Sequence, residues 1–261
     1  MKGSDMNRTV VFAKRNMIEM SRDMLSYIFC VAFPIVMLII MTLVNESIPA
    51  EAGQTIFRID NLAGGVVIFG QTFVMLFTAL SVSRDRSGSF LIRLFATPMK
   101  SADFTNGYIL PMIVIALIQS FITFVAAFII SRIVAYDLEP VGLIFAMIAI
   151  LPSAVMFTAI GLIFGTLFSQ NAAPGLCSVI ISLGSFIGGI WFDAESTGGV
   201  LLKIARCLPF IYCTKVSRAA IRLDLGMSDF IIPELIVIVT SAVLTVLAII
   251  LFRKKMKADL S

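Results

Sequence analysis

The chain alternates long, uninterrupted apolar runs with short polar connections. Six such runs occupy residues 25–44, 62–82, 108–130, 141–168, 175–192 and 231–252. A hydrocarbon layer about 30 Å thick takes roughly 20 helical residues to cross. Inside it an unpaired backbone group finds no water, so the runs are expected as helices that close their own hydrogen bonds. The predicted fold is an all-α membrane protein with six transmembrane helices. The fourth run is longer than one crossing needs and contains Pro152, which predicts a tilt or kink there, with neighbouring helices satisfying the freed carbonyl. The fifth is short and rich in glycine. The first is too long for a signal-peptide core and no small-residue cleavage site follows it, so a retained first span is expected.

Ahead of the first run, Met6, Val10, Ala13, Met17, Met20 and Met24 recur at three- and four-residue steps, with Arg8, Arg15, Glu19 and Arg22 mostly off that line. Two readings are open over residues 1–24: an amphipathic helix lying in the membrane interface, or a juxtamembrane extension held by its cations to anionic lipid.

Composition agrees with burial in lipid, since 59% of the residues are hydrophobic and 14% charged, against about a quarter charged in soluble domains. The 20 Lys and Arg outnumber the 16 acids, but they flank apolar runs instead of forming one stripe. Topology accounts for them better than a nucleic-acid partner does. Thirteen fall on one side: Lys2, Arg8, Lys14, Arg15 and Arg22 in the first tail, Arg84, Arg86, Arg93 and Lys100 after the second run, and Arg253, Lys254, Lys255 and Lys257 in the last tail. Seven fall on the other. Because cations are retained on the cytoplasmic side during insertion, both termini are expected in the cytoplasm of a multi-pass plasma-membrane protein.

The absences narrow the chemistry. No histidine occurs and the four cysteines form no Cys-x-x-Cys pair, so neither a metal site nor a His-dependent hydrolase is expected. No phosphate-binding Gly-x-x-x-x-Gly-Lys-Ser/Thr loop is present, so the chain is not expected to hydrolyse ATP itself. Carboxylates are missing from the cores of the six runs, whereas ion-coupled transporters usually carry ionisable groups there. Glu234, after Pro233, reads as an acid at a helix start near the interface. Inside the runs stand Gln71, Thr72, Thr78, Ser81, Gln119, Ser120, Thr123, Ser178, Ser182 and Ser185. They line a conduit or, with the pairs Gly161/Gly165 and Gly184/Gly188, let helices pack closely, and any six-helix bundle needs the second. Cys30 and Cys177 read as small apolar fillers. Cys207 and Cys213 are too far apart on a straight helix for a disulfide; Pro209 would have to bend the chain, and free buried thiols are expected.

Residues 83–100, SRDRSGSFLIRLFATPMK, are not a plain polar loop. After Gly88, Phe90, Leu91, Leu94 and Phe95 make one side of a short helix apolar while Arg93 presents a charge, and Thr97-Pro98 ends it. Such a helix docks onto a cytosolic partner or rests on lipid without one.

This segment resembles the cytoplasmic stretch of ABC-2-type exporter permeases: a glycine, a hydrophobic-Arg-Leu core and an Ala-Thr-Pro ending, here Gly88, Arg93, Leu94, Ala96, Thr97 and Pro98. Residues 12–40 are similar to the family's entry helix and first span, with Arg15-Asn16, Arg22-Asp23 and Phe33-Pro34. Residues 203–225 are similar to its outer segment, with Leu208-Pro209, Tyr212, Arg218 and Arg222. In order, the three cover essentially the whole chain as one ABC-2-type domain, with a basic tail over 253–261. The resemblance implies a permease that pairs with a second permease copy or a paralogue and with two cytosolic ATPase subunits, which carry ATP and Mg, leaving this chain without a cofactor. It implies coupling through Arg84, Asp85, Arg86, Gly88, Phe90, Leu91, Arg93, Leu94, Phe95, Thr97 and Pro98, and through an interfacial helix marked by Arg15, Arg22 and Asp23. It further implies an outer re-entrant hairpin between spans five and six, with Leu208, Pro209, Tyr212 and Arg218 at an exit gate. Two positions depart from the pattern: Ile92 stands where a Glu commonly precedes the coupling Arg, and Asp193 where a proline often follows the fifth span.

The leading expectation is the permease subunit of an ATP-driven exporter of an amphipathic or hydrophobic substrate, a drug, peptide or lipid-like molecule. A self-sufficient secondary transporter or channel is the alternative. A lipid-modifying enzyme would need clustered acids, cysteine or histidine at an interface, and only scattered acids are present.

Overall fold

The structure, a computed structural model, describes residues 2–24, 28–49, 55–88, 101–192 and 198–258. Among these the chain is helical, with no strand. Helix α1 is Lys2–Ser21; α2 is Ile28–Ser47, opening with a π-helical turn Ile28–Ala32; α3 is Ile59–Ser87; α4 is Ser101–Ile133. Helices α5 (Pro140–Ala149) and α6 (Leu151–Leu167) form one broken crossing, and α7 is Ala173–Ile187. After it come α8 (Gly199–Cys207), α9 (Phe210–Ile221) and α10 (Ile232–Ala258), the last preceded by a π-helical turn Met227–Ile231.

Among the described residues five segments are long and apolar enough to cross a bilayer: Ile28–Ser47, Ile59–Ser87, Ala102–Ile133, Pro140–Leu167 and Met227–Lys255. The fifth predicted run yields only the 15 residues of α7, about 22 Å of helix. The predicted run continued to residue 192, but α7 stops at Ile187 because Gly189 takes a left-handed φ of +72°. The Gly189 and Ile190 N–H groups then bond back to the carbonyls of Phe186 (3.2 Å) and Ser185 (3.1 Å), a Schellman ending that satisfies carbonyls the helix would otherwise leave open.

Helix α3 is the axis of the molecule: 89% of its apolar window is buried, against 22% for α2 and for α10. It packs against α6, α4, α7, α9 and α2. Small residues permit the tightest of these contacts. A Cβ at Gly161 would strike the Met75 carbonyl oxygen, and one at Gly165 would lie 2.7 Å from both the Ala79 oxygen and the Val82 Cβ. This pair therefore seats α6 on α3, whereas Gly184 merely faces the Phe210 ring at ordinary contact distance, 3.6 Å.

The hydroxyl and amide residues within the apolar stretches of α3 and α4 are buried and largely bonded within their own helices. Thr72, Thr78, Ser120 and Thr123 donate to the carbonyls of Phe69, Val74, Ala116 and Gln119. Ser178 and Ser182 are exposed on α7. The expected kink is a full break at Ile150, two residues before Pro152. Gln71 of α3 reaches into it, donating to the Ile150 carbonyl (3.4 Å) and accepting from Ser153 Oγ (2.7 Å). The cysteines are free, with Cys213 buried and Cys207 exposed.

Helix α1 runs across the start of α4, and its buried side is turned from the predicted stripe. Ala13 and Met20 are buried as expected, but Val10 and Met24 are exposed, while Phe12 and Asn16 are buried in their place. The reason lies in α4: Phe12 lies edge-on to Phe104 and Tyr108, over Gly107, where any side chain would collide with its ring. Phe252, near the end of α10, closes the same aromatic cluster against Phe104 and Tyr108. Both terminal helices thus meet at one end of the bundle.

Replacing Gly165 by leucine should force α6 off α3 and destabilise the protein by about 1–3 kcal/mol, read as a lower thermal midpoint in detergent. Gly184→Ala, where a Cβ meets only ordinary contacts, should leave that midpoint nearly unchanged.

Candidate functional site

At the end that gathers the termini, α3 runs past its apolar stretch to Ser87, with nothing between Val82 and Gly88 to break it. Arg84, Asp85 and Arg86 accordingly sit in the last turn of a helix and not, as the sequence suggested, in the connection that follows. Gly88 is exposed, with extended backbone (φ −83°), and its N–H bonds to the Arg84 carbonyl at 3.0 Å. Phe90, Leu91, Arg93, Leu94, Phe95, Thr97 and Pro98 lie outside the described residues.

Successive positions on a helix point about 100° apart, so the three charged residues reach three different neighbours. Asp85, 4% exposed, points inward and is the hub. Arg15 of α1 donates to both its carboxylate oxygens, at 2.8 and 3.3 Å, and the buried Tyr108 hydroxyl of α4 donates at 2.8 Å. Arg15 also pairs with Glu19 one turn along α1 (2.8 Å) and donates to Asn16 Oδ1 (2.8 Å). Asn16 in turn donates to the Gly107 carbonyl at 3.0 Å. Burial lowers the proton affinity of the Arg15 guanidinium, but the hydrogen bond and charge of Asp85, joined by Glu19, more than offset it, and its pKa lies above the ordinary arginine value. Arg84 points outward and pairs with Glu19 at 2.6 Å. Arg86 points to α6 and donates to the carbonyls of Gly165, Thr166 and Phe168, closing a helix end that has run out of its own donors. Helix α1, the end of α3, the start of α4 and the end of α6 are thereby tied at one point. Arg22 lies exposed in the turn after α1, and the neighbouring Asp23 N–H bonds to the Met20 carbonyl (3.1 Å).

Sequence reasoning named Arg15, Arg84, Asp85 and Arg86, and Asn16 only within the Arg15-Asn16 match, but missed Glu19 and Tyr108, which complete the cluster. Asn16 lies on the buried side of α1, beside Phe12, Ala13 and Met20. Tyr108 offered no signal, since an aromatic at the head of an apolar run reads as a membrane-interface residue.

At the opposite end α8 and α9 form a helical hairpin turning at Leu208-Pro209, both half-buried. The turn lies deep: Phe210, just after it, stacks on Phe157 near the middle of α6 at 5.9 Å. Tyr212 braces the two arms by donating to the Arg206 carbonyl at 2.8 Å. Arg218 bridges three elements, donating to the carbonyls of Asn61 on α3 (2.9 Å) and Gly189 after α7 (2.8 Å). Arg222 donates to Asn61 Oδ1 at 3.2 Å. Nearby, Arg58 forms a two-pronged pair with the buried Asp60, both contacts at 2.7 Å, which raises the Arg58 pKa.

Asp85→Ala should leave Arg15 and the Tyr108 hydroxyl without their acceptor and cost about 3 kcal/mol, read as a lower thermal midpoint and faster proteolysis of α1. The double variant Arg15→Ala with Asp85→Ala should lose less than the two single losses added together, because the second truncation removes a charge already stranded.

The described segments, helices tied by charge at one end and by a deep hairpin at the other, hold no enzyme-like constellation among their residues. A search of curated proteins finds no match. The family model described as ABC-2 type transporter matches residues 7–221, which spans α1 through α9. With that match covering most of its length, the chain belongs to the ABC-2 type transporter family and is a membrane-embedded ABC transporter permease.

Proposed function

We propose that the chain is the permease subunit of an ATP-driven exporter, paired with a second permease copy or a paralogue and driven by ATPase subunits on separate polypeptides. ATP and Mg belong to those partners, and the substrate is amphipathic or hydrophobic, a drug, peptide or lipid-like molecule moved outward across the plasma membrane. The observation that carries this reading is the clamp on Asp85. Residues 89–100 follow directly on the last turn of α3, where Asp85 and Glu19 tie α3 to α1. A push on that segment is therefore delivered to two helices at once. The cytoplasmic placement of this end is supported by the thirteen Lys and Arg assigned to it, and by the aromatic cluster that brings both terminal helices to it. On this reading the hairpin of α8 and α9 dips into the bilayer from the outer face, with Leu208, Pro209, Tyr212 and Arg218 beside the exit.

A secondary transporter has one observation in its favour: Glu234, in the first turn of α10, keeps a buried carboxylate oxygen with no hydrogen-bond partner among the described residues. That is a single acid near a helix start, whereas the clamp on Asp85 joins three helices.

Arg93→Glu combined with Phe95→Asp should abolish ATP-dependent efflux in inverted vesicles and loosen the ATPase subunits, measured by stoichiometry after purification, while the chain stays folded. Uphill transport by the purified chain alone, without nucleotide and sensitive to Glu234→Gln, would replace the exporter reading with the secondary transporter.

A further inference from the structure

Between the start of α3, the end of α9 and the turn before α10 lies a recess of about 180 Å³ lined by Thr55, Asn61, Lys215, Arg218, Arg222 and Asp229. We propose that this recess binds the phosphate of an anionic amphiphile at the polar edge of the membrane.

Four observations carry it. The first is register: Lys215 and Arg218 on α9 and Arg222, which caps its end in helical conformation, follow one another at steps of three and four, so all three cations face the same space. Ala219 lies between them, 1% exposed, and as a short side chain it leaves the recess open at its floor. The second is charge. Among the described residues that line it, three are cations and one, Asp229, is an acid, and cations on such a wall favour an oxyanion.

The third is preorganisation. Asn61, 7% exposed, holds the two guanidinium groups in place, accepting from Arg218 on its backbone oxygen and from Arg222 on its side-chain oxygen. Arg222 spends one donor on that neutral amide and is bonded to no carboxylate among the described residues; a guanidinium carries five donors in a fork suited to phosphate. The fourth is depth. The apolar segments Ile59–Ser87 and Met227–Lys255 both begin here, at Asn61 and Asp229, where lipid phosphates lie in a bilayer. The inference concerns binding alone and stands whether or not ATP drives the chain.

The test is native mass spectrometry of the purified full chain, titrated with phosphatidylglycerol, with phosphatidylcholine, or with phosphatidylglycerol in the presence of excess inorganic phosphate. Phosphatidylglycerol should be retained at least about tenfold better than phosphatidylcholine, and Lys215→Gln with Arg222→Gln should remove that preference, since each lost charge-assisted bond is worth about a factor of ten. Arg218 is kept because its carbonyl bonds hold the fold, and Arg132→Gln, a cation outside the recess, should change nothing. Displacement by inorganic phosphate assigns the site to phosphate as such, and resistance to displacement assigns it to lipid-borne phosphate; both support the proposal. If the double variant melts early, Arg222→Gln alone against Arg222→Lys makes the same comparison. Equal retention of the two lipids, or undiminished preference in the folded variant, overturns it.

Discussion

A carboxylate buried at a helix end costs several kcal/mol unless charge and donors close around it, and at Asp85 that requirement fixes the positions of two other elements and the length of its own helix. Arg15 has to come from α1, the Tyr108 hydroxyl from α4, and α3 must remain helical beyond its apolar stretch to deliver the carboxylate to them. Glu19 extends the cluster to Arg84, so that α1 is fastened to two successive positions of α3. The aromatic packing of Phe12, Phe104, Tyr108 and Phe252 surrounds this cluster with apolar surface. It shields the Asp85 carboxylate from water, which strengthens its bonds to Arg15 and Tyr108 and raises the penalty for breaking them.

The same economy of means recurs where helices end. Arg86 closes the C-terminal carbonyls of α6, and Arg218 reaches the carbonyls of Asn61 and Gly189. Each arginine lies near the end of its own helix, α3 or α9, where a cation is also favoured by the dipole. One side chain thus steadies its own helix and joins it to a neighbour. In a setting where lipid offers no polar partner, such bonds carry more of the tertiary specificity than apolar contact can, because lipid competes for apolar contact on equal terms.

Much of this was legible in the sequence. The apolar runs announced their helices because an 18-residue stretch free of charge has few other fates, and Gly161 with Gly165 was readable as a packing pair. The boundaries drifted outward, since helix α3 does not stop where lipid does: its last polar turn is held by partners distant in sequence. The face of α1 was misread for the same reason. A stripe of methionines describes average hydrophobicity, but the buried face was settled by Gly107, whose missing side chain makes room for Phe12. The break at Ile150 was foreshadowed by Pro152, while Gln71, which bonds into it, was indistinguishable from the other span polar residues until the fold paired them. Arg218 stood out by resemblance; Asn61, its anchor, carried no sequence signal.

The brevity of α7 has a mechanical consequence. At about 22 Å it falls roughly a quarter short of the hydrocarbon thickness, and the chain after it turns on Gly189 toward the α8–α9 hairpin instead of continuing as a rod. Phe210 lies against the end of α7, and Arg218 grips the Gly189 carbonyl just beyond it. The crossing on this flank is a jointed strut, one helix hinged to a second that folds back beside it. A strut of that kind bends at its joint under load, whereas α3, continuous from Ile59 to Ser87, transmits the same load along its length.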